Sequence, residues 1–325
     1  MGAPVSVVIP NWNGAALLKR LLEELRRQTL LPEQVVVVDN GSADESVAVA
    51  KNAGAEVIKL GKNTGFSHAV NCGIQAARTH WIVVLNNDIS PEADWLANLL
   101  GAAEDANSWF ATGKLLDASA RGRIDGTFDA ISLGACAWRC GHGRPDSPLW
   151  DQGREISFAP FTAALFRSEL FQRVGFLDET FESYLEDIDF GIRCAAAGFT
   201  GVYVPTAVAD HAGSATLGRW HPDTVRRIAR NQLLLVAKHY PRHWVLRYGW
   251  SVLVGQGLWG FVALRHGTAF AYLCGKLEGL RRFRKARGNS QDGLPAVIEQ
   301  SEAEIRELQR LTGFDLYWRL YFALT

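Results

Sequence analysis

The run Trp81–Leu85, WIVVL, is unbroken, apolar and largely β-branched, and the chain turns polar at once at Asn86, Asn87 and Asp88, with Pro91 close behind. A short apolar run bounded by turn residues reads as a strand covered on both faces, as in a parallel sheet. In open α/β sheets, ligands sit beyond the carboxyl ends of such strands. One carboxylate and two amides at that point form an oxygen-rich cluster, suited to a hard cation or to sugar hydroxyls. The same residues also suit an Asn/Asp turn that caps the helix after Pro91.

The pattern recurs through the first hundred residues. Val5–Ile9 is a short strand stopped by Pro10 and the polar Asn11, Trp12, Asn13 and Gly14. Residues 15–27 place Leu17, Leu18, Leu21, Leu22 and Leu25 at helical spacing. Strands follow at 34–38, ending in Asp39-Asn40-Gly41-Ser42, and at 56–60, with helices over 46–52, 67–78 and 93–106. Strands alternating with helices imply βαβ units and right-handed crossovers. In a parallel sheet the polar residues Asn11, Asn13, Asp39, Asn63, Asn86 and Asp88 then share one edge. Turn chemistry accounts for each alone, but not for an acid just past two strands. The first strand is followed by PNWNGA, not G-x-G-x-x-G, and no G-x-x-x-x-G-K-[ST] occurs, which disfavours NAD and a P-loop.

From Trp109 to Ile156 the periodicity weakens into loops and short strands. It sharpens at Phe158–Phe166, a small-residue strand, and at a short helix over 168–174. The acids Glu186, Asp187 and Asp189 precede a helix expected over 192–197. Carboxylates there suit a helix N-terminus, and they equally suit a general base. A strand at 202–204 is expected to stop at Pro205, with His211 beyond it. A lone histidine is more often structural than a ligand.

Composition narrows the function classes. The 325 residues are 48% hydrophobic and 21% charged with formal net charge +0, so no global field attracts nucleic acid. The five cysteines are scattered without C-x-x-C spacing, as expected of free thiols in a reducing cytosol. The start, MGAPVSVVIPNWN, lacks a basic segment before its apolar run, so no signal peptide is expected.

Taken in order, IPNWNG, VVDNGSADES, NTGFSHAVNCGI, VLNND, FTAALFRSELFQRVGFLDE, EDIDFGIRCAAAGF and DHAGS resemble the inverting family 2 glycosyltransferases of GT-A fold. The branch is the bacterial one that includes rhamnosyl- and galactofuranosyltransferases of surface polysaccharide synthesis. The resemblance spans about 4–218 and implies an α/β fold with a Rossmann-like, mostly parallel central sheet flanked by helices. It implies a nucleotide-diphosphate-sugar donor (dTDP-rhamnose or a UDP-hexose), a glycan or polyprenyl-linked acceptor, and Mg²⁺ or Mn²⁺ as cofactor. Pro10, Asn11 and Asn13 would line the nucleotide pocket, Asp39 would hold the base or ribose, and Asn63, Gly65 and Asn71 would close around ribose and diphosphate. Asp88 matches the last acid of the family's D-x-D, whose first acid is Asn86 here, with Asn87 between them on the donor. His211 matches a metal-completing histidine, and Asp187 the general base, with Glu186 beside it. A sugar nucleotidyltransferase or an inactive sugar-nucleotide-binding module are the competing readings.

The division expected is a glycosyltransferase domain over 1–218 and a helical region over 219–325. Residues 244–264 are rich in Trp, Leu, Val and Gly but are interrupted by Arg247 and Gln256, a borderline case for a span of about 20 apolar residues. The basic run Arg281–Arg287 suits anionic lipid, at about 1 kcal/mol per cation. A peripheral appendage touching an anionic membrane surface through 242–287, on the inner face of the cell membrane, is therefore expected, with an oligomer interface as the alternative. A charged amphipathic helix is expected over 295–311, followed by a short aromatic tail from Phe314 to Leu324 that packs back on the protein or lies on lipid.

Overall fold

A computed structural model describes residues 3–213, 220–287 and 294–325. Strand and helix alternate through β1 (Ala3–Asn11), α1 (Ala15–Leu25), β2 (Pro32–Asp39), α2 (Ser46–Asn52), β3 (Glu56–Lys59), α3 (Phe66–Ala76) and β4 (Trp81–Leu85). β4 pairs parallel with β1, β1 with β2 and β2 with β3. Their Val and Ile side chains alternate between two cores, as a pleated strand requires. Val8, Val36, Val38 and Val84 pack with Ala69, Val70 and Ile74 of α3 on one face. Val7, Ile9, Val37 and Val83 pack with the leucines of α1 on the other.

The chain continues through β5 (Ile89–Pro91), α4 (Trp95–Asp105), β6 (Phe110–Asp117), β7 (Ile124–Gly126), β8 (Asp129–Ile131), β9 (Ala137–Arg139), β10 (Arg154–Ile156) and β11 (Ala163–Arg167). Next come α5 (Ser168–Val174), α6 (Glu186–Ala196) and β12 (Gly201–His211). The strand order of the main sheet is β10-β12-β6-β11-β4-β1-β2-β3, with β5 against β12 and β7 against β6. β11 runs antiparallel between β4 and β6, so the sheet is mixed on that side.

Besides the strand expected over 158–166, which spans Ala163–Arg167, three elements differ from the sequence expectation. β12 runs on past Pro205 to His211. The register with β6 skips between Val204 and Val208, so the proline sits in a bulge where no ladder donor is required. Gly113 faces that bulge, and a Cβ there would come within 2.0 Å of Ala207 O. Secondly, α6 starts at Glu186 and holds all three acids, instead of starting after them. Thirdly, the weakly patterned stretch from 109 to 156 supplies β6 to β10, including a fully buried strand segment. These strands pair over long sequence distances, which local periodicity does not report.

The C-terminal helices are α7 (Pro222–His239), α8 (Trp244–Arg265), α9 (Ala269–Ala286), α10 (Leu294–Thr312) and α11 (Leu316–Leu324). The 218/219 boundary lies outside the described residues. Ile305 and Leu308 of α10 and Trp318 and Tyr321 of α11 share one apolar cluster with Val36 and Phe128.

α7 clamps a strained loop. Glu182, Tyr184 and Leu185 have φ of 62°, 72° and 67°. Non-glycine residues in that region cost of order 1–3 kcal/mol each and persist only where neighbours hold them. Asn231, fully buried, donates Nδ2 to the carbonyls of Phe181 (2.9 Å), Ser183 (3.0 Å) and Tyr184 (2.7 Å). Arg230 donates to Phe181 O at 2.7 Å and to Glu182 at 2.8 Å. Asn231→Ala strands the Ser183 and Tyr184 carbonyls and should cost about 2 kcal/mol by chemical denaturation, with faster amide exchange over 182–185. A change near zero would show that the loop is held by other contacts.

Candidate active site

Beyond the carboxyl edge of β1, β2 and β4 lies a cleft of about 210 Å³, open to solvent on one side. Pro10, Asn11 and Trp12 form one side, and Asn40, Asn63 and Phe66 continue it. Asn86, Asn87 and Asp88 form the floor after β4, and Ser183 and Tyr184 of the strained loop face them with Arg227 of α7. Convergence follows from register. Asn11 pairs with Asp39, Asn40 N donates to Asn11 O at 2.8 Å, and Asn87 Nδ2 donates to Asn11 Oδ1 at 2.7 Å.

His211 reaches the same place through strand pairing. As the last residue of β12 it lies opposite Ile89 of β5, and Ala212 N donates to Asp88 O at 3.0 Å. Its Nε2 is 3.4 Å from Asp88 Oδ2. Its Nδ1 is 2.7 Å from Asp125 Oδ2, a carboxylate that β7 brings in against β6. A carboxylate behind a histidine fixes which ring nitrogen is free and raises its basicity, as in many metal sites. Burial draws the His211 pKa down, but hydrogen bonds to Asp125 and Asp88 prevail and lift it to about 9. Asp125 is held at about 2: burial raises it, and His211 and Arg139 more than offset that.

The line of charge continues. Arg139 of β9 lies 3.8 Å from Asp125 and 3.5 Å from Asp129, its cross-strand partner on β8. The arginine passes over Gly126, where a Cβ would fall 2.3 Å from its Cδ. Asp129 in turn hydrogen-bonds Asp187. Burial raises both carboxyls, and Asp129, further pushed by Asp187, reaches about 7. The pair therefore shares a proton near neutrality. Glu186 is buried and pushed well up, first by burial and then by Asp187. Asp189 is separate: His239, Lys238 and Arg193 lie 2.7, 2.8 and 3.1 Å from it, and it anchors α6 to α7.

Buried polar atoms without a hydrogen-bond partner gather around this region. Among the described residues they include Asn86 Oδ1, Asp88 Oδ1, Asp39 Oδ1, Glu186 Oε2 and Arg227 Nε. Native proteins rarely leave such atoms unpaired unless a ligand, ion or water completes them. Asp88 and His211 could hold a divalent cation that displaces the Nε2 proton of His211: one orphaned carboxylate oxygen, the imidazole nitrogen so freed and a carboxylate behind the ring are a suitable donor set. Among the described residues no group of three His, Cys, Asp or Glu forms a closed metal cage. Any cation here would take its remaining ligands from the bound molecule or water.

Several residues expected at the site lie elsewhere. Asn13 is exposed and ties two loops together, its Oδ1 accepting from Ala43 N at 2.8 Å. Asn71 does not line the cleft. Its Nδ2 donates to Leu177 O at 2.9 Å and its Oδ1 accepts from Leu177 N at 3.0 Å, a clamp between α3 and the turn before α6. Gly65 is the N-cap of α3 with φ 92°, and a Cβ there would meet Glu182 O at 3.0 Å. It sets how closely the strained loop approaches. Asp39 sits behind Asn11, buried, with Oδ2 3.4 Å from Ser42 N. Sequence reading missed Asp125, Asp129, Arg139, Tyr184 and Arg227. The one local signal was two acids set among apolar residues in Ile124–Ile131, IDGTFDAI.

The model of the Glycosyl transferase family 2 matches residues 6–175, and that of the Glycosyl transferase family group 2 matches 149–274. The chain belongs to glycosyl transferase family 2. It is 29% identical over 219 residues to the pre-mycofactocin glycosyltransferase of Mycobacterium tuberculosis, a match that takes in 66% of this chain and 44% of that protein. It thus spans less than half the length of that relative. It is 25% identical over 274 residues to the N-acetylglucosaminyl-diphospho-decaprenol L-rhamnosyltransferase of the same species, covering 76% of this chain and 88% of that one. Among solved structures, GalNAc-T7 with UDP, GalNAc and Mn²⁺ superposes with a TM-score of 0.61 at 16% identity, over 93% of this chain and 57% of that one. The mannosyltransferase PcManGT of Pyrobaculum calidifontis with GDP-Man and Mn²⁺ gives 0.53 at 16% identity, over 99% and 87%. These structures carry the fold, which is of GT-A type.

The shared proton makes a pH prediction. At low pH the Asp129–Asp187 pair keeps its proton, and as pH rises Asp129, lifted by burial and by Asp187 to about 7, gives it up. If the pair must lose that proton, kcat/KM for glycosyl transfer rises with pH through an apparent pKa near 7. Asp129→Asn removes that titration, so the rising limb should move to lower pH. A limb unmoved in this variant would separate the pair from turnover.

Proposed function

We propose that this chain moves a sugar from a nucleotide-diphosphate sugar to a hydroxyl of a glycan or lipid-linked acceptor, with inversion at the anomeric carbon. The observation that carries this reading is the gathering of orphaned buried polar atoms, Asn86 Oδ1, Asp88 Oδ1 and Arg227 Nε, on one open cleft beyond the carboxyl edge of the sheet. The nucleotide lies along Pro10, Asn11 and Asn63, with Asp39 behind them, and the diphosphate end over Asn86, Asn87 and Asp88. Asp88 and His211 would hold Mg²⁺ or Mn²⁺, which supplies positive charge to the departing diphosphate. Asp125 keeps the His211 ring oriented with Nε2 toward Asp88.

Asp187 takes the proton of the acceptor hydroxyl. It stands in the first turn of α6, half-buried, and Asp129 donates a hydrogen bond to it at neutral pH. Arg139, between Asp125 and Asp129, keeps this file of acids from repelling itself apart. A single displacement needs no carboxylate nucleophile, so Glu186 is a buried support beside Asp187. The donor sugar is dTDP-rhamnose or a UDP-hexose on resemblance to the rhamnosyltransferase branch.

Asp187→Asn should lower kcat by roughly 10²–10⁴-fold while calorimetric affinity for the donor stays within about twofold. Normal turnover in that variant sinks the base assignment. Asp88→Ala should damage activity more than Asn86→Ala, because Asp88 is the carboxylate this stretch offers to a cation. Equal losses would refute that order. Product analysis tests the reaction class: a nucleoside diphosphate must appear, and release of pyrophosphate would identify a nucleotidyltransferase.

A further inference from the structure

Along α8 the side chains of Leu246, Trp250, Leu253, Phe261 and Leu264 stand exposed, Leu246 to 90% and none below 60%. Their steps of three and four, with exposed Gly257 filling the gap, put them on one helix face. α9 repeats the pattern with Phe270, Leu273, Leu277 and Leu280, exposed by 55% or more. α11 adds Leu316, Leu320 and Leu324. Trp250 Nε1 donates to Leu324 O at 2.7 Å, which sets the end of α11 against the α8 stripe. Soluble proteins bury such stripes or give them a partner.

Charge identifies the partner. Residues 242–287 hold nine Lys and Arg against one acid, Glu278, in a chain of net charge +0. Lys276 turns inward to Gln232 and Gln256, and Arg247 and Arg282 pair with Glu299 and Glu182, which leaves the other six as the positive surface. Glu278 is already paired with Arg226 at 2.7 Å. Arg281, Arg284 and Lys285 are exposed at the end of α9, beside its leucine stripe. A second copy docking symmetrically would bring this positive surface against itself. An anionic bilayer offers both an apolar layer and opposite charge. No helix among the described residues is long and apolar enough to cross a membrane, so these helices would lie along its surface. The basic end also reaches the cleft. Arg282 lies 3.5 Å from Glu182, the strained residue that Arg227 of the cleft wall approaches at 3.4 Å.

We propose that the exposed faces of α8, α9 and α11 dock on an anionic bilayer, lying in its headgroup layer, with the basic end of α9 holding the cleft mouth at headgroup height. Docking itself is independent of the chemistry above. Delivery of a lipid-linked acceptor to the cleft is the part that rests on that reading.

The test is flotation of the full chain with vesicles of phosphatidylcholine, with and without phosphatidylglycerol. The chain should float with the mixed vesicles, and added salt should weaken it. Leu246→Gln/Leu253→Gln/Phe270→Ser and, separately, Arg284→Glu/Lys285→Glu should each reduce the bound fraction by at least ~tenfold. These positions are exposed, so far-UV circular dichroism should be unchanged, as should turnover on a water-soluble acceptor. No flotation by the full chain, or undiminished flotation by the apolar variant, overturns the proposal. So does a dimer by light scattering that the apolar variant dissociates, since a second copy then covers this face. Flotation without glycosyl transfer would leave docking standing and remove the catalytic reading.

Discussion

The file of charge that alternates from Asp88 through His211, Asp125 and Arg139 to Asp129, which shares a proton with Asp187, is the constraint on which the candidate site depends. Four carboxylates on partly or fully buried positions would repel one another and resist desolvation. The histidine and the arginine standing between them make the arrangement tolerable. The line draws on six separate segments: the turn after β4, the end of β12, β7, β9, β8 and α6. Anything that misplaces one of these strands leaves a buried charge without its neighbour. The short strands β7, β8 and β9 supply Asp125, Asp129 and Arg139, the inner members of that line.

A second dependence runs from the C-terminal helices to the cleft. Asn231 and Arg230 pin a loop that has left-handed backbone at three non-glycine positions, and that loop supplies Ser183 and Tyr184 to the cleft wall. Arg227, one helical turn before Arg230 and Asn231, reaches the wall itself. α7 thus both holds the loop and lines the cleft. Through Arg282, α9 joins the same cluster on Glu182. The helical region is coupled to the site by ion pairs and by a shared apolar cluster, so its removal would disturb more than a peripheral surface.

Sequence alone was sufficient for the elements whose information is local. The strand 81–85, the polar ends of the first four strands and their convergence on one edge were legible, because periodicity reports burial and turn residues report strand ends. His211 was legible only through resemblance. Its neighbour Asp125 lies 86 residues away, a separation that no local pattern spans. Pro205 misled for the same reason: whether a proline ends a strand depends on the ladder opposite it, and here a bulge accommodates it. Asn71 looked like a ligand residue and is a clamp, since an amide that donates and accepts suits either task equally.

What the sequence determined by itself was the α/β order and a polar, oxygen-rich edge beyond the strands, with the family added by resemblance. These rest on side-chain period and residue chemistry, which are properties of short stretches. What only the tertiary structure decided was which acids meet. It also decided which carboxyl keeps its proton and which of the leucines from Trp244 onward remain uncovered. Those are matters of distance and burial between segments far apart in the chain, and they exist only once the strands have paired and the helices have packed.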